Sequence, residues 1–129
     1  MKLYEMLCVS ALAPDTPVTA VSDIVTGARR HNLASDITGL LVFDGTRFAQ
    51  LLEGARDSVF QMIEHVRSDA RLVNVETLYC ERTQERRFNR FTAGFVPVEH
   101  EDALGELATR EGPAALQQFL ALIPVLDLH

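Results

Sequence analysis

The chain has 129 residues, 47% of them hydrophobic, with 12 Lys and Arg against 18 Asp and Glu for a net charge of −6. This length suits one domain with a real core and leaves no room for a second. The acidic balance (pI ≈ 5.1) argues against nucleic acid or an anionic membrane as the main partner, and a mean hydropathy of +0.06 without an apolar run of spanning length describes an ordinary soluble globule.

The N-terminus MKLYEML runs straight into a strand pattern over residues 3–10 and has no signal-peptide character. Leu3, Leu7 and Val9 fall on one face of that strand and Tyr4, Met6 and Cys8 on the other. Residues 11–16, ALAPDT, read as a loop. Pro17 suits the first turn of a helix, and Val21, Ile24, Val25 and Ala28 recur at helical spacing to about His31.

The segment ITGLLVFDGTRFAQLLEG (residues 37–54) is the centre of the reading. Ile37, Leu40, Leu41, Val42 and Phe43 form a near-continuous apolar run, so this strand is expected to lie centrally with both faces covered. Asp44-Gly45 supplies a tight-turn pair, and Phe48, Gln50 and Leu52 then alternate with Arg47, Ala49 and Leu51: a hairpin. Gln50 shares a face with two apolar residues. Its amide either finds a backbone partner, points at a ligand, or costs roughly 1–3 kcal/mol.

After Gly54, Val59, Met62, Ile63 and Val66 mark a second helix. A fourth strand is expected over residues 73–81, then the charged turn ERTQERRF, then a short fifth strand over residues 91–96. The order βαββαββ predicts an α+β, ferredoxin-like sandwich: a mixed five-stranded sheet with two helices on one face. The tail adds helical patterns at residues 103–108 and, after Gly112-Pro113, at Leu116, Phe119, Leu120 and Ile123. These either cover the other face of the sheet or, with the apolar ending LIPVLDLH, meet a second subunit in a homo-oligomer.

Searches for chemistry return little. G-x-S-x-G, H-E-x-x-H and G-x-G-x-x-G are all absent, and His31, His65, His100 and His129 have no metal-ligand spacing. No catalytic residue and no metal site is therefore assigned. Cys8 and Cys80 lack C-x-x-C spacing, which implies reduced thiols in a bacterial-type cytoplasm. Cys8 near a histidine would be a conceivable nucleophile, but a strand cysteine is more often a small inert hydrophobe.

D-I-T-G-L-L, followed by F-x-Q-x-L-E-G, a helix and an R-x-F turn, resembles the BLUF family of flavin-binding blue-light sensors over about residues 3–96. The resemblance divides the chain into a flavin-binding domain, residues 1–97, and a C-terminal helical extension, residues 98–129, packed on the sheet or at a subunit interface. It implies FAD as cofactor, with FMN or no flavin as the alternatives, and a flavin ring held between the two helices with Ile24 and Val66 on its faces. Gln50 matches the family's switch glutamine and Asn32 an asparagine beside the ring edge. His65 matches a basic residue near the ring's O2, and Asp69 and Arg71 lie toward the ribityl and phosphate side, or else form a solvated loop pair. Cys8 stands where the family has its electron-donating tyrosine, and His31 stands where it has an asparagine. Phe91 and Ala93 replace a tryptophan and a methionine. The resemblance implies a stand-alone sensor with an unknown downstream protein partner, the lack of a catalytic constellation implies that it is not an enzyme, and the departures imply an altered or lost photocycle. The alternative is a flavin-free interaction module on the same fold.

Overall fold

A computed structural model of the chain describes residues 2–100 and 102–128. Strand β1 (Leu3–Leu12) leads through a loop and a 3-10 turn (Val18–Ala20) into helix α1 (Val21–Ala34). The hairpin of β2 (Thr38–Phe43) and β3 (Arg47–Ala55) is followed by α2 (Arg56–Ser68), β4 (Leu72–Thr83) and β5 (Phe91–Phe95). The tail forms α3 (Ala103–Leu107), α4 (Gly112–Leu122) and a short strand, β6 (Asp127–Leu128).

The sheet order is β4-β1-β3-β2-β5-β6, with β2 and β5 parallel and the other pairs antiparallel. This is the ferredoxin-like plan with two added edge strands, six strands instead of the expected five. The sixth pairs Leu128 with Gly94 and Asp127 with Phe95. Gly94 makes the room for it, because a Cβ there would sit 3.0 Å from Leu128 and 3.4 Å from Leu126.

Local chemistry sets the central hairpin. Asp44 Oδ1 accepts the Thr46 and Arg47 N–H groups at 2.9 and 2.7 Å, and Gly45 turns the chain at φ 104°. Gly39 of the ITG motif has φ 147°, and a side chain there would run into the Leu51 carbonyl.

Alternation along the strands builds two cores. Met6, Cys8, Leu41, Phe48 and Leu52 face Ile24, Val25, Met62 and Val66 of the two long helices. Leu7, Val9, Leu40, Val42 and Leu51 face the other way, onto Leu104, Leu107, Leu116 and Phe119 of α3 and α4. Each fully buried side chain of this size contributes roughly 1.5–3 kcal/mol. The tail thus covers a face of the sheet that would otherwise expose a broad apolar surface.

Two buried carboxylates interrupt the second core. Glu53, fully buried, accepts the Thr38 hydroxyl at 2.8 Å and the Arg87 and Phe88 backbone N–H groups at 2.7 and 3.2 Å. Its cross-strand neighbour Glu5 accepts Arg87 Nε and the Tyr79 hydroxyl, both at 3.2 Å. The turn between β4 and β5 is thereby fastened to the sheet by satisfied, charge-assisted bonds.

Candidate functional site

Antiparallel pairing places Cys8, Gln50 and Leu41 in one row across β1, β3 and β2, and the parallel pair adds Ala93 of β5. Above this row the two helices leave a slot of about 80 Å³. Its floor is Leu41, Phe48, Gln50 and Leu72. One wall is Ile24, Gly27 and Ala28 of α1, the other Met62 and Val66 of α2, and His31, His65, Asp69 and Arg71 complete the lining.

Of the nine residues singled out from the sequence, seven line this slot: Ile24, His31, Gln50, His65, Val66, Asp69 and Arg71. Two do not. Cys8 is buried at 1% exposure in the helix-side core, beside Gln50. Asn32 is fully buried in α1, where its Nδ2 donates to the Ala28 carbonyl at 2.8 Å. Its Oδ1 is buried without a hydrogen-bond partner. His129 lies outside the described residues.

Gln50 is 5% exposed, and its side-chain amide makes no hydrogen bond among the described residues. The amide therefore faces the slot with its hydrogen-bonding groups available to a ligand. The flavin ring edge carries an N3–H donor and O2, O4 and N5 acceptors, which suit an amide, and the ring's faces suit Ile24 and Val66. Asn32 Oδ1, on the helix that forms the α1 wall, is the one buried polar side-chain atom without a partner among the described residues. Gly27 and Ala28 keep the α1 wall free of long side chains at the slot. The residues present therefore fit a flavin in chemistry. The slot itself is narrower than the roughly 300 Å³ at the lower end of small-molecule pockets, so the helices must part to admit one.

The electrostatics are local. Arg71 donates to Asp69 through its backbone N–H (3.0 Å), Nε (2.9 Å) and Nη2 (2.7 Å). These bonds hold the Asp69 carboxyl below the usual carboxylate range and the Arg71 guanidinium above its own. The stabilisation from a lowered carboxylate is present at neutral pH and is lost as pH falls through its folded pKa. Burial pushes the Cys8 thiol up to about 12, against smaller opposing pulls from the Arg67 charge and the Gln50 backbone. Cys8 is a protonated, apolar-site thiol and no nucleophile at neutral pH. No group of three or more His, Cys, Asp or Glu able to hold a metal occurs among the described residues.

Sequence reasoning did not single out Leu41, Phe48, Met62, Gly27, Ala28 or Leu72 as slot residues. Strand alternation carried the signal for the first two, which share the face of Gln50. The small residues at 27 and 28, one turn beyond Ile24, carried it for the α1 wall. The rings of His31 and His65 meet with centroids 4.2 Å apart, a contact with no sequence signal because the two residues lie on different helices.

The family model described as "BLUF: Sensors of blue-light using FAD" matches residues 3–94. The chain is 37% identical over 81 residues to the blue light- and temperature-regulated antirepressor BluF of Escherichia coli (strain K12), a match covering 63% of this chain and 20% of that protein. The chain thus spans about a fifth of that relative's length. Among solved structures it resembles Klebsiella pneumoniae BlrP1 with FMN and cyclic diGMP, at TM-score 0.63 and 31% identity over 69% of this chain and 25% of that one. It also shares the fold of BlsA in its photo-activated state, at TM-score 0.80 and 20% identity over 98% of each chain.

Proposed function

Because the chain belongs to the BLUF family, sensors of blue light using FAD, we propose that the slot between α1 and α2 holds the flavin ring and that the chain is a flavin-binding signalling protein with an altered light response. The observation that carries this reading is Gln50, an amide on an otherwise apolar strand face, set into the floor of a slot between two helices. In it, Ile24 and Val66 sandwich the ring, Gln50 bonds its polar edge, Asn32 Oδ1 joins it once the helices part, and His31 and His65 border it. Asp69 and Arg71 lie toward the ribityl and phosphate side. When bound, flavin supplies absorption of blue light and an excited state that accepts an electron. The protein's part is to exclude water, orient the ring and change the hydrogen bonding at Gln50.

The role is non-catalytic signalling, exerted through contacts with a downstream protein. No helix among the described residues is long and apolar enough to cross a membrane, which is compatible with a cytoplasmic setting. Self-association is part of the proposal. Leu116 and Phe119 are spent on the chain's own sheet, but Val98, Val125 and Leu128 stay exposed at 81%, 36% and 57%. Light scattering should give a dimer mass or larger, and a monomer mass at high concentration would exclude self-association.

The flavin reading is tested by a pair of substitutions. Gln50→Ala should shift the bound-flavin absorption spectrum and weaken binding by about tenfold, the worth of one buried hydrogen bond of about 1.4 kcal/mol. Gln61→Ala, at an exposed position of α2, should leave both unchanged. Equal, negligible effects from the two would remove Gln50 from the site.

A further inference from the structure

His31 and His65 come from different helices, and their rings meet with centroids 4.2 Å apart at an interplanar angle of 50°. Both side chains line the slot, and both residues are exposed to solvent. The contact therefore ties the last turn of α1 to the last turn of α2 over a slot that must widen to take an aromatic tricycle. We propose that His31 and His65 form a latch across the slot mouth that two protons open, making flavin entry faster in mild acid. This rests on the flavin reading of the slot.

Two neutral imidazoles, or one neutral and one charged, stack without conflict. Two imidazolium rings at this separation repel, so the second proton is taken up at the expense of the contact. Histidine is the side chain whose charge ordinarily changes between about pH 5 and 8.

One neighbouring group bears directly on the pair: Asp69, from the α2–β4 connection, is held in its charged form chiefly by Arg71 and in smaller part by the charge of His65, and Arg71 is in turn held charged by Asp69. Cys8 of β1 stays neutral because burial raises its pKa to about 12. Asp23 of α1 adds a fixed influence on Arg71, and Arg67 of α2 adds one on Cys8. From β2 and β3 the slot receives only Leu41, Phe48 and Gln50.

The test mixes flavin-stripped protein with FAD and follows quenching of flavin fluorescence at about pH 5.5 and about pH 8. Uptake should be about fivefold faster at the lower pH, the factor that two unit charges about 4 Å apart supply in water-like surroundings. The readout is the ratio of the two rates, which should fall to about one in His31→Asn and in His65→Gln. A ratio of one in the native chain overturns the latch while leaving the flavin site intact. So does a fivefold ratio that persists in the double variant. No uptake at either pH overturns the flavin reading, and the latch with it.

Discussion

Blue light is expected to leave the flavin spectrum of the native chain without the small red shift that the family resemblance implies. That shift is implied to need a tyrosine that donates an electron to excited flavin and bonds the switch glutamine. Cys8 occupies that position, directly across the strand pair from Gln50. It is 1% exposed and does not line the slot. A thiol there is much shorter than a phenol and cannot bridge Gln50 and the ring edge. With its pKa pushed to about 12 it is also no thiolate donor. Cys8→Tyr combined with His31→Asn rebuilds the donor and the amide contact, and should recover at least part of the shift. The phenol must enter a packed core, so this variant should lose about 1–3 kcal/mol of stability. A native chain that red-shifts and reverts under blue light would contradict this expectation. A folded, flavin-loaded double variant that stays silent would move the cause to Phe91 and Ala93, which pair with Gly39 and Leu41 on β2.

Phe119→Ala should cost about 3–5 kcal/mol, a large share of the roughly 5–15 kcal/mol that holds a domain of this size folded. Phe119 is fully buried between α4 and the sheet, among Leu104, Leu107 and Leu116. Truncation leaves a ring-sized cavity and returns part of that sheet face to water. Leu33→Ala, at 82% exposure on α1, is the matched control and should change stability by less than about 0.5 kcal/mol. Urea denaturation of the two variants decides the matter. A loss under about 1 kcal/mol for Phe119→Ala would mean that the tail is not seated on its own sheet.

Most of the frame was legible because it is written in short-period patterns. The alternation around Gln50, the stripes of α1 and α2 and the Asp44-Gly45 turn each depend on neighbours a few residues apart. What was not legible depends on contacts between distant segments. Strand β6 is two residues long and exists because Gly94 leaves space for Leu126 and Leu128. Nothing in LIPVLDLH separates that outcome from a subunit contact. The turn ERTQERRF looks like solvated charge, yet Arg87 reaches buried Glu5 and its backbone N–H reaches buried Glu53. A strand pattern places those two carboxylates on the tail side but does not reveal what satisfies them. At the site, the walls and Gln50 were foreseeable from periodicity. The roles of Asn32, His65 and Cys8 came only with the family resemblance. The His31–His65 contact requires the packed helices themselves.

Flavin content tests the central claim most directly. Purified chain, incubated with excess FAD, stripped of free cofactor and then denatured, should release about one flavin per chain. Filling the slot with Ala28→Trp should remove most of it while the fold survives, because Ala28 lines the slot and is only half-buried. A native chain that stays colourless and releases no flavin under these conditions would contradict the account.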